Sequence, residues 1–396
     1  MSINRREFLA GMGAAGLAAV QPARMRASVP TAPVAIGRSK SYGAEFLSAA
    51  EKMFDQLGGL GRLVKGKTVT IKINLTGGEN TRQDYLPQGR ACWSHPRTVG
   101  AVIHLLDKAG ARRIRVVEGA WVWPASLEEF MLKAGWDPDL LLQAAPRVEL
   151  VNTNLPYKGG KPYTRFPVPN GGHLFPAYDL STAFAESDVL VSMSKLKEHA
   201  VAGVTLSIKN LFGITPTTIY GNKVPVDEPA PVPYGGRQDI GHNGSRQPPR
   251  SAPPEKDATT PRQPGYRIPR IIADLAAAIP PGLQIVEGIE TIAGAELPRA
   301  GTTVAVSPGV LVAGTNPVTT DAVAMAVMGF DPMAERGKAP FETCDNTLRL
   351  AEELGVGTRD LRRIEVVGTP IKDAVFPFRD YGGPRQTRPP GRGRKG

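Results

Sequence analysis

Short apolar runs of strand length recur along this chain, and amphipathic stretches of helix length separate them. Val69-Thr70-Ile71-Lys72-Ile73-Asn74-Leu75 is one such run, and 114–118, 148–151, 188–193, 283–288, 309–314 and 364–368 are others. Residues 96–109, 127–134, a stretch opening at Arg270, 321–328 and 347–354 carry helical periodicity. His95 or Ser94 stands at the start of the first of these, and Gly110 stops it. Near-continuous apolar strands spaced by helices predict an α/β fold with mainly parallel sheets, since parallel sheets are covered on both faces. The spacing predicts two Rossmann-like lobes, over 34–220 and 270–370. A long Pro/Gly-rich insertion, 221–269, divides them. Eleven prolines fall between Pro225 and Pro269, so this segment reads as a long functional loop or a disordered insert.

The apolar run Val189-Leu190-Val191-Ser192-Met193 opens directly into Lys195-Leu196-Lys197-Glu198-His199, and Ala202 to Gly213 then brings Lys209 and Asn210. Lysine and histidine are costly to bury unpaired. Loops at strand C-termini are where α/β folds place their sites. This cluster is therefore the candidate site, and the competing reading is a solvated loop with ordinary surface lysines. Lys72 and Asn74 share one face near the end of an earlier strand. With Lys195, Lys197 and Asn210 they form the predicted binding set for an anion such as phosphate or carboxylate. His199 is the candidate acid/base. Lys209, if buried, is the candidate nucleophile or cofactor anchor. Glu287 and Asp321 are candidate metal ligands or counter-ions to the lysines. A helix cap for Asp321 and a lysine salt bridge for Glu287 are the structural alternatives.

The two ends differ from the body. Asn4-Arg5-Arg6-Glu7-Phe8-Leu9 precedes a Gly/Ala-rich apolar run from Ala10 to Val20, which predicts a twin-arginine export signal over 1–27 and a periplasmic destination. The run is too short for a membrane span. Residues 379–396 are Gly, Pro and Arg with almost nothing apolar and predict a disordered basic tail. Most of the formal charge of +11 sits in these ends: four Arg against one Glu in 1–27, and six Lys/Arg against one Asp in 379–396. Basic tails on a near-neutral body do not describe a nucleic-acid protein, which spreads its basic surface over the fold. Cys92 and Cys344 are the only cysteines. Two cysteines alone hold neither a four-cysteine iron–sulfur cluster nor a structural zinc; they form one disulfide or remain two buried thiols. No P-loop and no Gly-x-Gly-x-x-Gly stands between a strand and a helix, so ordinary ATP or NAD use is not indicated.

Several segments resemble the domain of unknown function (DUF) 362 family over nearly all of 34–368. They are Ile71-Lys72-Ile73-Asn74, His95-Pro96, Ala109-Gly110-Ala111, Val117-Glu118-Gly119, Lys195-Leu196-Lys197-Glu198-His199, Thr205 to Gly213, and Thr315-Asn316-Pro317 to Ala324. Many members carry added ferredoxin-like cysteines, which this chain lacks, and Glu287-Gly288-Ile289 stands where the family often has Asp-Gly-Ile. A weaker resemblance is that of His199-x-x-Ala202-Gly203-x-Thr205-x-x-x-Lys209 to the nickel-pincer lactate racemases. It implies a covalent nickel-pincer nucleotide on Lys209 and an acid/base role for His199. No histidine follows the lysine at the spacing of the racemase nickel ligand; His242 lies further on, in the insert.

Two functions follow as expectations. One is an exported enzyme acting on a small carboxylate or phosphate by His/Lys acid–base chemistry, racemase- or isomerase-like, with a divalent metal or pincer cofactor. The other is a periplasmic protein that binds an anion or cofactor without turnover. The small anionic ligand and the twin-arginine export machinery are the expected partners.

Overall fold

The computed structural model describes residues 29–381. The twin-arginine segment and all but the first three residues of the basic tail lie outside the described residues. Fourteen strands run in chain order: β1 (Val34–Arg38), β2 (Thr68–Lys72), β3 (Arg113–Glu118), β4 (Val148–Asn152), β5 (Tyr163–Pro167), β6 (Ala177–Ser181), β7 (Val189–Lys195), β8 (Glu198–His199), β9 (Gly203–Val204), β10 (Leu283–Gly288), β11 (Thr291–Ala293), β12 (Val304–Val306), β13 (Val310–Gly314) and β14 (Val366–Gly368). Eight form one sheet in the order β14-β1-β13-β10-β7-β2-β3-β4. Every pairing in it is parallel except the two made by β13, which runs against β1 and β10. The other six strands make three small antiparallel hairpins, β5-β6, β8-β9 and β11-β12.

The predicted α/β class and mainly parallel sheet are observed. The two expected lobes share this one sheet: β10 and β13, from the second half of the chain, lie between β7 and β1, from the first. The apolar runs alternate between its faces. Val69, Ile71, Val191, Met193, Leu283 and Ile285 pack with the helices Ala44–Gln56 and Pro96–Lys108 on one side. Val117, Leu190, Val286, Val310 and Val312 pack with Pro264–Ala278 and Pro317–Val327 on the other. Burial on both sides explains why strands such as β7 read as unbroken apolar runs. Local signals place the helix starts: His95 Nδ1 accepts from the Arg97 N–H (3.2 Å), and Asn316 accepts from the Val318 and Thr319 N–H groups.

The insert is irregular but anchored, so the alternative of a disordered insert is set aside. Buried Arg267 meets Glu255 at 2.5 Å and donates to the Ile240 carbonyl at 2.7 Å. Arg246 donates to the carbonyls of Asn222 and Val224. Val224, Ile240 and Ala252 join the core. The helix expected from Arg270 begins at Pro264 and runs through Pro269. Pro269 cannot donate to the carbonyl four residues back. That carbonyl, of Gly265, instead accepts from the Asp345 N–H (2.9 Å). No disulfide joins Cys92 and Cys344, both buried. Among the described residues, no helix is long and apolar enough to cross a membrane.

Candidate functional site

Parallel strands end on a common edge, and here that edge carries Lys72, Glu118, Lys195 and Glu287, all buried. Their chemistry is mostly internal. Glu287 stands opposite Lys195 in the β7–β10 register, and the two meet at 2.6 Å with neither side chain exposed. Lys195 also donates to the Gly89 carbonyl (2.9 Å), while Glu287 accepts from the Ile289 N–H (2.7 Å). Lys72 meets Glu118 at 2.7 Å and donates to Asn210 Oδ1 at 3.1 Å. Asn74 donates to the same oxygen (3.1 Å). The Asn210 amide donates to the Lys72 carbonyl and to Ser192 Oγ, each at 3.1 Å, and so ties β2 to β7. Lys197 donates to the carbonyls of Cys92 (2.7 Å) and Glu296 (2.9 Å), and burial lowers its pKa to about 8.

The predicted anion-binding set is therefore turned onto the protein's own acceptors. Alternation along β7 sends Lys195 to the side of Val191 and Met193. The helix Leu206–Asn210, which carries Lys209, packs on the opposite face with Leu206 and Ile208 in the other core. The predicted metal ligands are also engaged. Glu287 is paired as above. Asp321 accepts from Ser207 N–H (2.9 Å), Ser207 Oγ (2.5 Å) and Ile208 N–H (2.9 Å). It caps a helix, but the one carrying Lys209 rather than its own. That cap holds Leu206 at φ +43°, a conformation a branched side chain rarely adopts. Among the described residues, no three His, Cys, Asp or Glu side chains are grouped to hold a metal ion. Two glycines let these backbones approach: a Cβ at Gly119 would meet the Gly213 carbonyl oxygen at 2.3 Å, and one at Gly213 would meet Glu118 Oε1 at 2.7 Å.

Lys209 behaves differently. Its ammonium makes no hydrogen bond or ion pair among the described residues and lies 4.9 Å from the centre of the Phe212 ring. The Arg237 guanidinium lies 5.8 Å from the same ring, and His242 meets it edge-on at 5.4 Å. Arg237 donates to the Thr215 carbonyl (2.6 Å) and to Asn154 Oδ1 (3.0 Å), and has no carboxylate at ion-pair distance among the described residues. Desolvation lowers Lys209 to about 7, assisted by the charges of Lys197, Lys72 and Arg237 and opposed by Glu296. Arg237 is lowered to about 10 by burial.

The two histidines are neutral and carry their protons oppositely. The Val201 N–H donates to His199 Nδ1 (3.2 Å), which leaves the proton on Nε2. His242 Nδ1 bonds the Arg237 carbonyl (3.1 Å), so the proton is on Nδ1 and Nε2 keeps its lone pair. Burial lowers both, His242 to about 4 and His199 well below its usual value, and the charge of Lys209 adds to each shift. Sequence reasoning singled out Lys209 and His199 and missed Arg237 and His242, which the insert delivers. Arg267 holds the carbonyls of Ile240 and Gly241 and thereby places the turn that ends at His242. No local signal in the sequence separates Arg237 from Arg246, Arg250 or Arg262.

Comparison with known proteins adds the following. A thylakoid-associated protein, sll1697, of Synechocystis sp. is 31% identical over 185 residues, spanning 46% of this chain and 50% of that protein, so the match reaches about half the length of that curated relative. The lactate racemase apoprotein of Thermoanaerobacterium thermosaccharolyticum superposes with a TM-score of 0.37 at 13% identity, covering 69% of this chain and 54% of the racemase. The domain of unknown function (DUF362) matches residues 69–326, well over half of the chain, and the protein belongs to that family.

Proposed function

We propose that this chain is an exported enzyme that binds a small carboxylate or phosphate between Lys209 and Arg237 and works on it by acid–base chemistry. One observation carries this reading. Lys72, Lys195, Arg115 and Arg267 are buried and each has a carboxylate at ion-pair distance, while buried Lys197 is held by two carbonyl oxygens. Lys209 and Arg237, beside the same phenyl ring, have none among the described residues. Both are half-buried; partly desolvated cations without a carboxylate are costly, and an anionic ligand offsets that cost. His242 Nε2 is the base of the site, and His199 Nε2–H polarises the substrate oxygen.

A bare divalent cation does not suit these residues, because Glu287 and Asp321 are engaged and no three-ligand cluster stands in their place among the described residues. A nickel-pincer nucleotide, the cofactor suggested by the racemase-like motif, suits them better. Lys209 offers an unpaired amine for its attachment and His242 Nε2 a free lone pair. Peptide mass spectrometry of protein purified from its own host reads that attachment directly. Export rests on Arg5 and Arg6; their replacement by Lys should leave the protein in the cytoplasmic fraction, and unchanged fractionation contradicts the export reading.

Calorimetric titration with lactate and with inorganic phosphate tests the site. Binding of one of them should be lost in K209M and in R237Q, with circular dichroism and a cooperative thermal transition showing that each variant is folded. Equal binding by wild type and both variants refutes the anion site. His199→Ala separates enzyme from binder, since an enzyme keeps the ligand and loses turnover.

A further inference from the structure

The surroundings of Lys209 suit a covalent role on a chain whose lysine is unmodified, and this inference rests on the anion site proposed above. We propose that Lys209 captures the carbonyl group of a small 2-oxo acid as an imine, with Arg237 holding the carboxylate.

The geometry supplies each part. The Lys209 amine has no internal acceptor among the described residues, so nothing must be broken before it reacts; it only contacts the face of Phe212. Arg237 lies over the same ring, and its Nη1 has no hydrogen bond among the described residues. The two cations stand 4.9 and 5.8 Å from the Phe212 ring centre, and a 2-oxo acid places its carbonyl carbon one bond from its carboxylate, so in this proposal the acid spans from Arg237 to the amine at that ring. The groups whose charges act on Lys209 or its two histidines are Lys72, Lys197, Arg237 and Glu296. Burial holds the amine in its nucleophilic form near neutral pH; Lys197, Lys72 and Arg237 add to this and Glu296 opposes it.

The step balances with no further reagent. The Lys209 lone pair forms the C–N bond, and the carbonyl π pair moves to oxygen. His199 Nε2–H donates a hydrogen bond to that oxygen and keeps its proton. His242 Nε2 takes the two amine protons in turn and returns them to the oxygen. Water leaves, and the nitrogen lone pair closes the C=N bond.

The test is reductive trapping. The full chain is incubated with pyruvate and sodium cyanoborohydride, and its peptides are mapped by mass spectrometry. One reduced pyruvate is expected on the Lys209 peptide. None is expected there in K209R, and about tenfold less or lower still in R237Q, the loss of one charged hydrogen bond. Yield should rise through pH 7 and then level. Circular dichroism and thermal unfolding establish that the variants are folded. Lactate, which has no carbonyl, serves as control. Lactate binding without any Lys209 adduct overturns the imine and leaves the anion site standing. Neither binding nor adduct overturns both. An adduct spread evenly over many lysines, a yield that climbs only near pH 10, or a Lys209 found already modified as isolated also overturns the imine.

Discussion

Replacing Lys195 with Met tests whether the conspicuous lysines of this chain are structural. Lys195 and Glu287 are both completely buried and meet at 2.6 Å. Methionine fills nearly the same volume, so the change opens no large cavity. It leaves Glu287 with backbone donors from Ile289 and Glu290 but no cation, and it removes the Lys195 donor from the Gly89 carbonyl. Breaking a buried pair from one side costs about 3–5 kcal/mol, a large part of a total stability of about 5–15 kcal/mol. Burial already raises the Glu287 pKa, and losing the lysine raises it further. A carboxyl whose folded pKa lies above its unfolded value of about 4.3 binds its proton more tightly in the native state. Its stability contribution is present below the unfolded pKa and is lost as pH rises through the folded one. The K195M deficit should therefore be larger at pH 8 than at pH 5.5. The double variant K195M/E287L removes both charges and should recover about 2 kcal/mol or more of the summed single losses. Urea unfolding midpoints, compared at constant m-value, give each number. A K195M loss under about 1 kcal/mol, or strict additivity in the double variant, refutes the structural assignment.

Asp321→Ala should cost about 2–4 kcal/mol, because two backbone N–H groups at the start of the Lys209 helix lose their acceptor; the fall in Tm measures it. Burial raises Asp321 to about 7, so its contribution to stability is complete below its unfolded value of about 3.9 and declines as pH rises through 7. Asp321→Asn should flatten that part of the stability–pH curve, and an unchanged slope between pH 5 and 8 contradicts the assignment. Gly213→Ala should cost about 1–3 kcal/mol by overpacking, since its Cβ would lie 2.7 Å from Glu118 Oε1 and 2.8 Å from Lys72 Nζ; urea unfolding reads it. Acylation with a dilute amine-reactive ester should modify Lys209 with an inflection near pH 7, whereas labelling that rises only near pH 10 would show an amine without the lowered pKa.

The sequence by itself determined many of the local elements, though it did not reveal β1 or the helix Ala44–Gln56. Alternating apolar runs and amphipathic stretches specified the α/β class. Caps and glycine stops placed helix starts and ends to within a few residues, except where Pro269 lies inside a helix. The Lys195–Gly213 run was legible as a candidate site because it follows a strand C-terminus, and Lys209 within it stands beside an aromatic ring with no anionic partner among the described residues. Those features depend on residues near one another in the chain.

Tertiary structure decided what depends on distant partners. The parallel pairing of β10 with β7 gave Lys195 its carboxylate. Lys72 found Glu118, and Asn210 found Ser192 and the Lys72 carbonyl, so lysines and an amide that suggested an anion site became internal links. Asp321 capped a helix more than a hundred residues earlier. Arg267 and Glu255 anchored a proline-rich insert whose composition resembled disorder, and the insert delivered Arg237 and His242 to Phe212. A buried charge is stabilised by whichever acceptor the fold brings to it, and that acceptor has no fixed distance along the chain.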